Sequence, residues 1–328
     1  MKDSYGRNID YMRISVTESC NLHCNYCIPQ NIKMTPSSDI LTFEEIHDIV
    51  KAAVAIGINK FRITGGEPLV RSGCVELVRM IKETPGVIEL GITTNGTMLE
   101  KYARSLKNAG LDSINVSLDT LDPFVFKKIT GNDMLLSVLS GIKSAKEEGL
   151  NVKINTVNHK NLDAFSILEY GNSMNIPVRF IEIMPIGNGI KYMGNSNEEL
   201  LRTIEEKYGP AVAVNSDKIV YGSGPASYFK FSKLNGSVGF ISALHDRFCH
   251  HCNRIRLTSK GQLKSCLCYE DGADLKRILR SNFYYDSTEL QKAIISALEK
   301  TILNKPQQHC FENIQNITEK HLMADIGG

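Results

Sequence analysis

Short β-branched runs alternate with amphipathic stretches over the first half of the chain. Residues 9–16, 60–64, 87–93, 112–118, 151–157 and 178–183 are brief, apolar and β-branched, which predicts strands. After the first of these, Phe43, Ile46, Ile49, Val50, Ala53 and Val54 recur at helical spacing and mark one apolar face. Thr42, with Glu45 three residues on, predicts a capping box at its start. Similar faces run through 75–82, 99–108, 135–148 and 162–174, with Gly110 and Gly149 where C-terminal caps belong. A helix between successive strands returns the chain on the same side, so about six βα units predict an α/β protein with a parallel sheet. A closed barrel needs eight such units. The pattern alone leaves both an open doubly wound sheet and an incomplete barrel standing.

Beyond residue 183 this rhythm breaks. Pro185, Gly187, Gly189 and Gly194 punctuate an irregular stretch, a polar helix is expected over 198–207, and Gly and Pro return at 222–225. Short strands are expected from there to about 256, and a last helix over 290–303. This reading divides the chain into domains 1–220 and 221–328.

Composition narrows the function classes. With 42% hydrophobic and 23% charged residues over 328 positions, the chain has the make-up of a globular protein with a sizeable core, not a disordered or fibrous one. No apolar run approaches the ~18–20 residues of a membrane span. The opening MKDSYGRNID has no apolar leader stretch, so a cytoplasmic protein with reduced thiols is expected. The net charge of +2, from 38 basic and 36 acidic residues, does not announce a nucleic-acid partner. Nine cysteines are too sparse for a disulfide scaffold at this length, which turns attention to metal ligation.

Six of the nine form two triads. Cys20, Cys24 and Cys27 have the spacing C-x3-C-x2-C directly after the first strand, in a loop at its C-terminal end, where parallel α/β folds keep their active sites. Three thiolates so close repel one another until a bound cation or iron–sulfur cluster compensates them. Zinc is the alternative, with His23 as a fourth ligand. Cys249, Cys252 and Cys266 give C-x2-C-x13-C, and here too zinc stands open, with Cys268 as a fourth thiolate. Cys74 falls on an apolar helical face and reads as packing, and Cys310 stands isolated.

Other residues add to the picture. Thr64-Gly65-Gly66-Glu67-Pro68 follows the second strand, and its two glycines allow close approach of backbone to a ligand. Arg13, Arg62, Lys153 and Arg179 come from different strands of one sheet, and buried cations predict an anionic ligand such as a triphosphate. Arg254 and Arg256, two apart on an expected strand, point to one face and suit a phosphate or a purine edge.

CNLHCNYC, with Tyr26 before its last cysteine, resembles the radical S-adenosylmethionine (SAM) superfamily. TGGEP, INVSLD, VKINT, RFIEIMPIG, FCHHCNRIRLTSKGQLKSCL and the terminal IGG are similar to its GTP-cyclising family of molybdenum cofactor biosynthesis, over about residues 3–328. The resemblance implies an incomplete (β/α)6 TIM-like barrel whose mouth is covered by a C-terminal α+β domain. It implies two 4Fe-4S clusters. Cys20, Cys24 and Cys27 would hold the one that cleaves SAM; Cys249, Cys252 and Cys266 would hold the one that binds guanine. Tyr26, Gly66, Ser117 and Met184 match positions that contact SAM. Arg13, Arg62, Thr93, Lys153, Arg179, Arg254, Ile255 and Arg256 match positions that contact GTP, and Gly327 and Gly328 form a tail that reaches the active site with Arg254 and Arg256. A 5′-deoxyadenosyl radical would take the ribose C3′ hydrogen, and the carbon radical would attack C8 of guanine. The partners implied are an electron donor, a downstream cyclic pyranopterin monophosphate synthase and a second copy of the chain, with no membrane or nucleic acid. A peptide-modifying radical SAM enzyme and a zinc-stabilised nucleic-acid-binding module are the competing readings.

Overall fold

The six expected strands form in a computed structural model that describes residues 1–27, 36–214, 224–245, 248–281 and 286–327. They are β1 (Tyr11–Ser15), β2 (Lys60–Thr64), β3 (Glu89–Thr94), β4 (Ser113–Ser117), β5 (Asn151–Asn158) and β6 (Val178–Glu182), each parallel to the next. The helices between them are α1 (Phe43–Ala55), α2 (Cys74–Lys82), α3 (Leu99–Asn108), α4 (Pro123–Thr130), α5 (Leu135–Glu147) and α6 (Ala164–Ser173). Thr42 and Glu45 make the reciprocal capping box that starts α1. The α4 helix was not expected, although Asp122 caps its N-terminus and Pro123 fills its first turn, both legible signals.

Among the described residues, the strands of the C-terminal half all join the same sheet. After α7 (Asn197–Tyr208), β7 (Val212–Ala213), β8 (Ser227–Lys230) and β9 (Ser237–Ile241) extend the sheet beyond β6, with β9 parallel to β6. β10 (Arg254–Leu257), β11 (Gln262–Lys264) and β12 (Gly272–Asp274) extend it beyond β1, with β10 parallel to β1. The order is β12-β11-β10-β1-β2-β3-β4-β5-β6-β9-β8-β7. The sheet therefore stays open, and its parallel run from β10 to β9 is an incomplete barrel. The boundary expected at residue 220 lies outside the described residues. After α8 (Leu275–Leu279), α9 (Ser287–Leu303) packs on α1, and the chain then runs back toward the barrel.

Strand periodicity separates two environments. Met12, Ile14, Phe61, Ile63, Leu90, Ile92, Ile114, Val116 and Ile154 face the helices and are fully buried in one core with Ile46, Ile49, Leu77, Ile81 and Leu106. The interleaved positions, Arg13, Arg62, Thr93, Asn115, Lys153 and Arg179 among them, face inward and line a cavity. No helix among the described residues is long and apolar enough to cross a membrane.

The N-terminal turn ties distant segments together. Arg7 Nε donates to Asp3 Oδ2 at 2.6 Å, its Nη1 donates to the carbonyls of Cys249 and Gln307, and its Nη2 donates to that of Pro306. Both side chains of this ion pair are buried. Arg7→Met leaves Asp3 with two backbone amide donors but removes its buried counter-charge and the donors to three carbonyls, which is expected to cost about 3–5 kcal/mol. Chemical denaturation of the apoprotein measures it.

Candidate active site

The loop that follows β1 is clamped from three sides. The first clamp is the turn after β2, where the Gly66 amide donates to the Thr17 carbonyl and the Glu67 amide donates to that of Ser19, both at 2.8 Å. A Cβ on Gly65 would lie 2.6 Å from the Thr17 oxygen, and one on Gly66 would lie 2.5 Å from the oxygens of Glu18 and Ser19. Those glycines thus serve first to seat the cysteine loop, although both also line the cavity.

The second clamp comes from the end of β3. The Asn95 amide donates to Asn21 Oδ1 at 2.8 Å and points at Cys20 Sγ at 3.7 Å. Asn95 is itself oriented by Glu67, whose buried carboxylate accepts from the Leu69 and Asn95 amides and the Thr94 hydroxyl. Burial pushes that carboxyl up to about 7 against the pull of the three donors. In the third clamp, the Tyr26 hydroxyl donates to Asp119 Oδ2 at 2.6 Å, while Asp119 Oδ1 accepts from the Val157 amide.

Cys20, Cys24 and Cys27 all line the cavity. Burial raises the Cys24 thiol well above its usual value, and the nearby Cys27, Asp119 and Cys20 charges add to the rise. Burial and the charge of Cys20 push Cys27 up to about 12. Neutral thiols are favoured until a positively charged group draws off their protons.

Between the strands runs a bank of cations held in register. Arg256 on β10, Arg13 on β1 and Arg62 on β2 are neighbours in one row. The next member of that row, on β3, is Gly91. A Cβ there would sit 2.5 Å from the Arg62 guanidinium, so the missing side chain is what admits it. Arg179 on β6 repeats the device opposite Gly239 on β9, where a Cβ would lie 2.8 Å from its Cγ. Arg62 donates to the Tyr11 hydroxyl, the Ile92 carbonyl and the Ser113 hydroxyl, so protein groups already occupy much of its hydrogen-bonding fork. By contrast, Arg179 Nη2, Thr93 Oγ1, Asn115 Oδ1 and Ser265 Oγ line the cavity and are buried with no hydrogen-bond partner among the described residues. Burial, reinforced by Arg179 and Arg62, lowers Lys153 to about 8; burial and Arg254 lower Arg256 to about 10. Burial also lowers Arg13 and Arg179, so these four cations are held below their ordinary strength, the condition that an anionic ligand relieves.

Cys249, Cys252 and Cys266 line the same cavity of about 330 Å³. Lys305, also buried, donates to the carbonyls of Arg254 and Ser265 at 2.9 and 2.5 Å. Burial alone would raise the Cys252 thiol, but Lys305 and Arg254 override it and bring it down to about 6. Arg254 stacks over the Phe248 ring at 5.0 Å.

The C-terminal segment closes on these groups. The Gly327 carbonyl accepts from Arg256 Nη1 at 2.8 Å, and a Cβ on Gly327 would lie 2.9 Å from Thr64 Oγ1. Further back, Glu319 forms a buried ion pair with Lys264. Gly328 lies outside the described residues.

Most of the expected site residues therefore meet. Tyr26, Gly66, Ser117 and Met184 line the cavity with Arg13, Arg62, Thr93, Lys153, Arg179, Arg254, Arg256 and both triads. Ile255 does not: its side chain is buried in the core on the opposite face of β10, because the strand alternates. His23, weighed as a fourth zinc ligand, is exposed and does not line the cavity, which leaves zinc ligation through it without support. Cys268 does not line it either. Cys310, expected to stand isolated, has its Sγ 3.0 Å from that of Cys268. Glu67, Asn95, Gly91 and Lys305 were missed. Glu67 stood inside a quoted motif; the others carry no spacing signal, because only strand register and chain return bring them in.

No three or more His, Cys, Asp or Glu side chains among the described residues are arranged to hold one metal ion. A four-iron cluster is gripped at the corners of a larger body, so its thiols need not converge on a point. Three cavity-facing thiols with an amide aimed at one sulfur fit such a cluster.

Residues 14–169 match the model of the radical SAM superfamily, and residues 176–311 match that described as Molybdenum Cofactor Synthesis C. The GTP 3′,8-cyclase of Clostridium perfringens is 40% identical over 332 residues, covering 100% of both chains. That of Thermodesulfovibrio yellowstonii is 42% identical over 94% of this chain and 95% of its own. Among solved structures, Streptococcus suis SuiB bound to its precursor peptide SuiA has a TM-score of 0.64 over 96% of this chain and 75% of that one; at 15% identity, this shows a shared fold.

The tight seat of the cysteine loop is open to test. Gly66→Ala is expected to cost about 1–3 kcal/mol through the overlap with two carbonyl oxygens. Gly236→Ala, where an added Cβ meets nothing within 4 Å, is the control. Thermal unfolding of the two apoproteins should lower the midpoint of the first and leave the second unchanged.

Proposed function

The chain belongs to the GTP 3′,8-cyclase family of radical SAM enzymes, and on that premise we propose that its cavity holds SAM at one end and GTP at the other, each beside its own cysteine triad. The observation that carries this reading is that both triads and the cation bank line one cavity. Cys20, Cys24 and Cys27 hold the 4Fe-4S cluster of the superfamily, and Tyr26, Gly66, Ser117 and Met184 seat SAM beside it. Cys249, Cys252 and Cys266 hold a second 4Fe-4S cluster facing the guanine. The Lys305 ammonium and the lowered Cys252 thiol support this second site, since both favour metal-binding thiolates.

With its cluster, bound SAM supplies a 5′-deoxyadenosyl radical for the C3′ hydrogen of the ribose. The work of the chain is to position and to enclose. Arg13, Lys153, Arg179, Arg254 and Arg256 neutralise the triphosphate, Thr93 and Asn115 offer polar atoms for the nucleotide, and Arg62 contributes mainly charge, since its fork is largely engaged. Fixing both ends of GTP holds C3′ at the reacting position, which lowers the barrier by orientation. The tail, by way of the Gly327 carbonyl on Arg256, orients that guanidinium and helps to keep water out; Gly328 is assigned with it. Electrons come from an external donor, and a cyclic pyranopterin monophosphate synthase takes the product.

Anaerobic reconstitution is expected to load about eight irons per chain, falling to about four when Cys249, Cys252 and Cys266 are all replaced by Ala. With SAM, dithionite and GTP, the loaded protein should release 5′-deoxyadenosine together with 3′,8-cyclised nucleotide. Deoxyadenosine release indifferent to GTP, without cyclised product, would overturn the reading.

A pH dependence follows from Lys153. Its lowered value means that the ammonium is present below about 8 and lost above it. GTP affinity should hold steady up to that pH and then fall by up to about tenfold per unit, as binding comes to require proton uptake. Calorimetric titration from pH 7 to 9.5 reads this, and Lys153→Met should bind more weakly with a flatter profile.

A further inference from the structure

Of the three cysteines outside both triads and outside the cavity, Cys268 and Cys310 stand together. The Cys268 and Cys310 sulfurs are 3.0 Å apart although 42 residues separate them in sequence, and the Cys310 amide also points at Cys268 Sγ at 3.4 Å. Cys268 is fully buried in a small apolar cluster with Ile186, Leu267, Phe311 and Ile326. Cys310 packs at the margin of that cluster and is partly exposed. The pair joins the chain just after Cys266 to the segment that leaves α9 and ends at Gly327 on Arg256.

We propose that Cys268 and Cys310 form a reversible dithiol–disulfide site, oxidised by small-molecule disulfides, that staples the C-terminal segment to the strand region carrying Cys266. Exposure gives the order of events. The Cys310 thiolate attacks one sulfur of the small disulfide, forming a mixed disulfide and expelling one thiolate. The Cys268 thiolate then attacks the Cys310 sulfur, closing the protein disulfide and expelling the second thiolate. The protein dithiol gives up two electrons and two protons, and the small disulfide takes up both and leaves as two thiols. The bond closes a ring around residues 268–310, so the return of the chain toward the cavity is held covalently as well as by packing.

The test uses the full-length, anaerobically reconstituted protein treated with oxidised glutathione, then denatured, alkylated, digested with trypsin and weighed. The expected product is one peptide pair joined through Cys268 and Cys310, with Cys266 in the same peptide carrying the alkyl label. Dithiothreitol should dissolve it. It should be missing from Cys310→Ser, which should keep the parent's iron content. Limited proteolysis beyond residue 310 should be slower in the oxidised protein than in the reduced one. Full alkylation of both cysteines after glutathione treatment would overturn the proposal, as would a stable glutathione adduct on Cys310 alone. Iron loss in Cys268→Ser would also overturn it, by making Cys268 a cluster ligand. The proposal does not rest on the assignment of the cavity: should the second triad prove to bind no iron, the joined peptide is still expected.

Discussion

A cavity that gathers Arg13, Arg62, Lys153, Arg179, Arg254, Arg256 and Lys305, with Glu182 as the acid among its described lining residues, is electrostatically unfinished. Glu182 does not balance the cations, because it is engaged by the Asn197 amide and by His245. Burying so much like charge is costly, and the cost appears as lowered basicity at residue after residue. The fold tolerates it because strand alternation sets an apolar face against the helices, where a core of fully buried Ile, Leu and Phe side chains supplies the compensating stability. The same alternation that stabilises the barrel therefore creates the demand for an anionic substrate.

Charge of the opposite sign enters with the thiolates. At the first triad the thiols are disfavoured as anions by burial and by one another. At the second, Lys305 and Arg254 draw Cys252 the other way. Burial raises Cys266 as it does the first-triad thiols, so the contrast lies at Cys252 and arises from the cations that surround it. β10 brings its arginines with the cysteines, whereas the loop after β1 meets the carboxylates of Glu67 and Asp119.

Glycines at strand register do much of the positioning. Arg62 and Arg179 each extend over a neighbouring strand where a side chain is absent. The turn after β2 presses against the cysteine loop for the same reason. Close approach of backbone to backbone, more than approach to a ligand, accounts for the pair in Gly65-Gly66. A substitution at Gly91 or Gly239 acts on the site by displacing an arginine.

Local pattern determined the six βα units, the capping box at Thr42 and the spacing of both triads, because these are set by residues near one another in sequence. The alternation within each strand also foretold that Arg254 and Arg256 share a face, although it equally placed Ile255 on the other, in the core. What the tertiary structure alone decided is how distant pieces meet. Strands from the C-terminal half join both edges of the barrel sheet, carry the second triad into the first triad's cavity, and bring Cys310 beside Cys268. Those meetings depend on strand register and on the return of the chain after α9. Both are settled by the packing of the whole sheet against its helices, and no local sequence signal encodes them.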